Sequence, residues 1–482
     1  MSERRERRGD APRRLTETVI RGAGYAAIGY ALTQFLTFIS YLVLAHVVSP
    51  SEFGVFAAGS IFVGLTGLFV GSGMMAALIQ RRDRLDEATN TALISVSAGT
   101  ALSVLALAVA PVVGHLFRSN QIGAVAAVLS GVLLLDATTI VPEALMQRRF
   151  SFLRRMVVQP LGVAVFGVTA VAAAANGAGV WGLVVGMYAS RVVQAIAAWA
   201  LVRWRPQPRL ASFAMWRELA GYGRHVVTGE LLRRVEVQIP TVVLGRFVST
   251  ASLGQFQYAF RVAAMPLGAL VDIVAYVLLP AFARISHDQE RLRAAFLRAL
   301  RWVCVIAFPM SFILVPLGEP LVVLLFGEPW RQAGVAVMAM FALSAGRAFD
   351  SLASEVWKAS GRPHMLPRLH LVSVLLSATF MVLLMPFELV GVAIAVSISS
   401  IGVATYAIIS VRTALDLALA RMLAEIWPPV VASGLMVAVV YPLEQIAASG
   451  ERGTAATRVA RSLASARRVA FDHRAFDGRA RA

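Results

Sequence analysis

Apolar residues run in long blocks along this chain, with little of the short alternation of a half-buried strand, and clusters of arginine interrupt the blocks at regular intervals. A hydrocarbon layer about 30 Å thick is crossed by roughly 20 mainly apolar helical residues. About thirteen windows satisfy that length: 25–48, 54–80, 88–113, 121–146, 156–175, 178–202, 225–247, 253–280, 301–325, 332–357, 366–386, 389–411 and 426–447. The pattern therefore predicts an all-α polytopic membrane protein. The first block is too long for the apolar region of a secretory signal and lacks a small-residue cleavage site, so it reads as a retained anchor.

Composition sharpens the class. Apolar side chains make up 58% and charged ones 15%, against about 45–50% and 25% in soluble domains, and the mean hydropathy is +0.71. A water-soluble globular fold is excluded. The net charge is +18, and every cationic side chain except Lys358 is arginine. Most of these cations sit in the leader (residues 1–24) and in every second connection: 81–84, 148–155, 203–209, 281–301, 358–368, and the loop with Arg412 and Arg421. The intervening loops have Arg118, Arg246 and Arg331. Basic loops stay on the cytoplasmic side, so the bias predicts a multi-pass protein of a bacterial inner membrane with a cytoplasmic N-terminus. It explains the charge without a nucleic-acid partner.

Several chemistries drop out. Cys304 is the single cysteine and cannot form an intramolecular disulfide. The histidines show no HExxH or other metal spacing, and no GxSxG or Walker sequence occurs, so neither a metal nor a cofactor is expected. Without a nucleotide site, energy must come from an ion gradient, the membrane potential or the substrate gradient. No predicted outer loop exceeds roughly ten residues, which argues against a polytopic glycosyltransferase or polymerase. Two cytoplasmic stretches, 209–223 with Leu210, Phe213, Trp216 and Leu219, and 284–301, have the spacing of helices lying on a membrane surface.

The chain repeats itself. LAHVVSPSEFGVF from Leu44 aligns without a gap on LGRFVSTASLGQF from Leu244, pairing Leu44 with Leu244, Val48 with Val248, Ser49 with Ser249, Gly54 with Gly254 and Phe56 with Phe256. Pro142-Glu143 in span 4 and Ser354-Glu355 in span 10 form a weaker match at similar depth. Six spans separate the partners, so both halves point the same way and a pseudo-two-fold axis along the membrane normal is expected. The predicted organisation is a leader at 1–24, an N-lobe at 25–202 (spans 1–6), an amphipathic linker at 203–224, and a C-lobe at 225–411 (spans 7–12). A linker and span 13 follow at 412–447, then a basic tail at 448–482 in which 454–470 is expected to be an irregular or interfacial helix.

The passage LVLAHVVSPSEFGVFAAGSIFVGLTGLFVGSGMMAALIQRRD, with its proline-to-glycine turn, glycine-rich second span and ALIQRRD ending, resembles the opening of the polysaccharide transporter family. That family belongs to the multidrug/oligosaccharidyl-lipid/polysaccharide (MOP) exporter superfamily. VVLGRFVSTASLGQFQYAFRV is similar to the matching start of the second lobe. The resemblance spans about residues 25–415. It implies two six-helix lobes in a V, with a cavity that opens alternately to each face. It also implies the task of a Wzx-type flippase: moving undecaprenyl-diphosphate-linked oligosaccharide, a repeat unit of O-antigen, capsule or exopolysaccharide, across the inner membrane. The partners it implies are that lipid-linked substrate, membrane lipid and a coupling ion, H+ or Na+. Glu236 in span 7 departs from the Asp or Asn frequent in relatives.

Ionisable residues inside spans are functional candidates in their own right, because a charge at bilayer depth is costly unless it is paired or faces a wet cavity. Span 10 carries a polar stripe with Arg347, Asp350, Glu355 and Lys358 at helical spacing. Span 7 carries Glu230, Arg233, Arg234 and Glu236, and span 8 sets Tyr258, Arg261, Gly268, Asp272 and Tyr276 on one face. Span 4 offers Asp136 and Glu143, span 6 offers Arg191, and span 1 lines up Tyr30, Gln34, Thr37 and Tyr41. Arginine holds phosphate oxygens bidentately and stays ionised in a low dielectric. Arg233, Arg234, Arg261, Arg347 and Arg191 are thus the expected substrate-binding residues. Glu230, Glu236, Asp272, Asp350, Glu355, Asp136 and Glu143 are expected to pair with them or carry the coupling ion. Self-neutralised bridges such as Glu230–Arg234 and Arg347–Asp350 are the plainer alternative, and Glu143, Glu355 and Lys358 can snorkel. Gly64, Gly67 and Gly71 read as packing positions. A multidrug/cation antiporter of the same superfamily is the competing function, and it would call for an acid-dominated cavity.

Overall fold

The computed structural model describes residues 28–80, 83–148, 152–202, 204–362, 364–443 and 445. The leader and the stretch 454–470 lie outside them. Among the described residues the chain is helical with no strand. The helices are α1 (Ile28–Val47), α2 (Pro50–Gly59), α3 (Ile61–Gln80), α4 (Leu85–Ala92), α5 (Ile94–Leu116), α6 (Asn120–Leu129), α7 (Val132–Arg148), α8 (Phe152–Ala173) and α9 (Val180–Val202). They continue as α10 (Phe213–Phe247), α11 (Thr250–Ile285), α12 (Gln289–Phe312), α13 (Leu314–Phe326), α14 (Arg331–Ala339), α15 (Ala342–Ala359), α16 (Met365–Leu384) and α17 (Glu388–Leu415), ending with α18 (Leu419–Leu443).

Eight helices among the described residues are long and apolar enough to cross a membrane, or nine counting the α14–α15 pair, which bends by 48°. One of the eight, Met365–Leu415, holds two predicted spans, which fold back on each other at a 3-10 turn, Met385–Phe387. The predicted windows 54–80, 225–247 and 253–280 are also helical, as α2–α3, α10 and α11.

Two expectations about the linkers change. The surface helix expected at 209–223 is continuous with span 7: after the Ser212 cap, whose side chain accepts from the Met215 amide, α10 runs for 35 residues. Likewise the stretch 284–301 is mostly the first half of α12, started by the Asp288 cap. No glycine turn or proline intervenes between amphipathic stretch and span in either case, so one uninterrupted helix forms.

The repeat becomes visible as a crossing. Ser49 caps α2 by accepting from the Glu52 amide, completed by the Glu52 carboxylate as a capping box, while Ser249 caps α11 by accepting from the Ser252 amide. The two capped helices then cross at Gly54 and Gly254. A Cβ on Gly54 would collide with the carbonyl oxygen of Thr250, one on Gly254 with that of Pro50, and each would also lie 3.1 Å from the other glycine's amide nitrogen. Each half therefore presents the same glycine to the same carbonyl of the other, as at a two-fold interface. Spans 4 and 10 match as well, since α6–α7 breaks at Ser130–Gly131 and α14–α15 at Met340–Phe341.

The largest buried cluster surrounds this crossing, with Leu44, Phe53, Leu244, Tyr258 and Trp330 each at most 2% exposed. A second cluster occupies the C-terminal half around Phe282, Phe296, Trp357 and Val411. The last helix, α18, is only 6% buried over its apolar window and is tied to α12 by Arg301, whose Nε and Nη2 donate to Glu425 at 2.5 and 2.7 Å.

Candidate functional site

Four helices from different halves, α1, α11, α13 and α15, line a cavity of about 370 Å³, with Phe326 the residue from α13. α1 contributes Tyr30, Gln34, Thr37 and Tyr41, placed on one face by their spacing of four, three and four residues. α11 contributes Tyr258, Arg261 and Gly268, and α15 contributes Ser344 and Arg347. The Arg261 guanidinium lies over the Tyr41 ring, 3.8 Å from its centroid, a contact that orients the cation and keeps its hydrogen-bonding edge available. Arg347 lies 5.9 Å from the Phe260 centroid.

One end of the cavity is sealed. The Tyr258 hydroxyl donates to the Tyr41 carbonyl at 3.2 Å, and its ring packs on Trp330, 3.8 Å between centroids, and on Phe53 at 4.9 Å. Trp330 Nε1 donates across the halves to the Ala45 carbonyl at 2.8 Å. Gln255 pins the Trp330 turn by donating to the Pro329 carbonyl at 2.6 Å and accepting from the Ala333 amide at 2.8 Å. These groups flank the 48–50 and 248–250 turns, so the seal lies on the predicted outer side.

A second chamber, about 150 Å³, lies within the C-terminal half between α10, α11, α15, α16 and α17. Its polar wall includes Arg233, Glu236, Arg347, Asp350, His370 and Ser373, with Ser377, Ser399 and Ser400 beside them. Ser373 Oγ donates to Glu236 Oε1 at 2.6 Å, His370 Nδ1 is 3.9 Å from Glu236 Oε2, and Ser354 Oγ approaches Asp350 Oδ1 at 3.4 Å. Arg347 borders both spaces.

The expected site residues thus separate into groups. Arg261 and Arg347 line the central cavity, and Arg233, Glu236 and Asp350 line the chamber behind it. Arg234 crosses between halves, where Nη1 donates to the Gly64 carbonyl of α3 at 3.0 Å. Arg191 pairs with Asp136, Nε to Oδ1 3.2 Å, and its Nη1 donates to Gln194 at 3.2 Å. Glu355 is buried and accepts from Lys358 Nζ at 2.8 Å, with its Oε2 unbonded. Glu143 is half-buried on α7. The side chains of Glu230, Asp272 and Tyr276 lie outside the described residues. His370 and Ser373 are additions from the structure. The signal for them was a histidine and a serine three apart in the otherwise apolar run LHLVSVLL.

Residues 43–334 match the family described as "Polysaccharide biosynthesis protein". The succinoglycan biosynthesis transport protein ExoT of Rhizobium meliloti is 26% identical over 333 residues, 68% of this chain and 67% of that protein. The lipopolysaccharide biosynthesis protein WzxC of Escherichia coli is 25% identical over 329 residues, 66% of this chain and 65% of that protein. Among solved structures, the lipid II flippase MurJ in an inward closed conformation superposes with a TM-score of 0.70 at 14% identity, covering 87% of this chain and 97% of that one. An inward-facing multidrug resistance MATE family transporter of the MOP superfamily superposes with a TM-score of 0.65 at 17% identity, covering 81% and 98%.

Proposed function

Because the chain belongs to the polysaccharide biosynthesis protein family, we propose that it carries a polyprenyl-diphosphate-linked oligosaccharide across the bacterial inner membrane by alternating access. In this reading it is a transporter and not an enzyme, and its N-terminus is cytoplasmic. The observation that carries the reading is the charge of the central cavity: among the described residues, the ionised side chains on its wall are Arg261 and Arg347, and the facing wall on α1 is uncharged. A diphosphate crossing hydrocarbon needs fixed positive charge at depth, and two arginines supply forked donors for its oxygens. A cavity built for cationic drugs would carry the opposite sign.

The C-terminal chamber supplies the coupling. Glu236 and Asp350 hold the coupling ion, H+ or Na+, and Arg347, bordering both spaces, senses whether the diphosphate is bound. An ion that neutralises the acids frees Arg347 for the substrate, and losing it returns Arg347 to the acids. That is a two-state element biased by both ligands, which energetic coupling requires. The test is to delete the gene and follow lipid-linked glycan in the cytoplasmic leaflet. Accumulation that is reversed by the wild-type chain and not by R261A/R347A is the expected result. Unchanged surface polysaccharide in the deletion strain refutes the reading.

A further inference from the structure

Resting on that transport reading and going beyond it, we infer that α1 is the sugar-reading wall of the central cavity: Tyr30, Gln34 and Thr37 bind the first sugar of the glycan while Arg261 and Arg347 hold the diphosphate.

The two walls differ in chemistry. The cations come from α11 and α15, and they recognise phosphate without telling one neutral sugar from another. α1 offers an amide, two hydroxyl types and aromatic rings. A pyranose presents hydroxyls that both donate and accept, and an apolar C–H face. Gln and Tyr match the first with donors and acceptors, and a tyrosine ring matches the second.

The order along α1 suits the order within the ligand. At 1.5 Å per residue, Tyr41 and Tyr30 are about 16 Å apart along the helix, with Gln34 about 10 Å from Tyr41. Arg261 sits on Tyr41, so a diphosphate held there leaves the directly attached sugar against Thr37, Gln34 and Tyr30. That stretch is prearranged. Gln34 Nε2 donates to the Tyr30 hydroxyl oxygen at 3.3 Å, and Thr37 gives its proton to the Thr33 carbonyl at 2.7 Å, which leaves its oxygen to accept. Tyr30 is 41% exposed.

Gly268 of α11 approaches Tyr30 from the other side: among the described residues, an added Cβ there would meet the Tyr30 hydroxyl at 3.9 Å, ordinary van der Waals contact. A branched side chain at this position would therefore press on the hydroxyl that the sugar is read by.

The full-length protein in lipid nanodiscs can be titrated with undecaprenyl diphosphate and with the same lipid carrying one hexose or one N-acetylhexosamine. The wild type should prefer a glycosylated probe. Y30A/Q34A, and separately Gly268→Val, which crowds the Tyr30 hydroxyl, should each weaken that probe about fivefold or more while leaving the bare diphosphate within about twofold. R261A should weaken every probe. Equal losses on bare and glycosylated lipid, no loss on either, or a wild type that prefers no glycosylated probe overturns the sugar-reading role and leaves transport standing. A wild type that binds none of the probes overturns the transport reading and this inference together.

Discussion

Among single residues, Arg261 and Arg234 take different places, and the proposed function gives the first a binding role and the second a role in joining the halves. Both are intramembrane arginines expected at the same site, yet one lies on Tyr41 in the cavity and the other donates to a backbone carbonyl across the halves. In the proposed reading, Arg261→Ala removes two charge-assisted hydrogen bonds to phosphate, together worth about 3–6 kcal/mol, so export should fall about 100-fold or more. Membrane abundance should stay normal, and Arg261→Lys should retain part of the activity as a point charge. Arg234→Ala should instead cost about 1–2 kcal/mol of stability, seen as a lower melting temperature in detergent and reduced abundance. Export per molecule would change little. Equal export defects per molecule in the two variants would defeat the distinction. Both residues were legible in the sequence as charges at depth, and Arg261 also as part of a stripe. Their different fates were not, because the carbonyl that takes Arg234 belongs to Gly64, 170 positions away, and spacing within one helix carries no information about that partner.

Helix order, length and polarity were legible because a run of some twenty apolar residues has few other solutions in a bilayer. Breaks within helices were less so. Spans 2, 4 and 10 each divide after the first ten residues or so, at Ser60, Ser130–Gly131 and Met340–Phe341, and no proline stands at any of these points. In span 10 tertiary bonds hold the break: Ser397 Oγ on α17 donates to the Ala339 carbonyl at 2.6 Å, and the Ala342 amide donates to Ser397 Oγ at 3.3 Å. Ser397 is 3% exposed, so it replaces backbone pairing where water cannot reach. Ser397→Ala therefore removes the partner of a part-buried carbonyl and of a buried amide, at about 1–3 kcal/mol each. The variant should melt several degrees lower. It should also shift the α15 residues Arg347 and Asp350, so export should fall along with stability. A melting temperature equal to wild type would show that the bend does not depend on this serine.

At the scale of the whole molecule, the reciprocal crossing at Gly54 and Gly254 joins the halves where the cavity is sealed, and in the proposed alternating-access cycle the halves part at that point to release cargo outward. Close approach of two backbones is tight enough that one methyl matters. Overpacking of this kind costs about 1–3 kcal/mol, and here the cost falls only on the state in which the helices touch. Gly54→Ala and Gly254→Ala should therefore bias the protein toward the conformation open at this end, by up to about 100-fold at the upper limit. A cysteine at Ala45, which is 5% exposed beneath the Trp330 indole, reports the change in a Cys304→Ala background. It should be labelled slowly from outside in the parent and faster in either glycine variant. Because each glycine meets the other's equivalent carbonyl, the two variants should accelerate labelling to a similar degree. Trp330→Phe, which removes the bond to Ala45 while keeping an aromatic ring in the cluster, should act in the same direction without touching the crossing. Labelling that responds to one glycine alone would mean that the halves do not share the interface equally. Labelling unchanged in all three variants would place the moving seam elsewhere in the molecule.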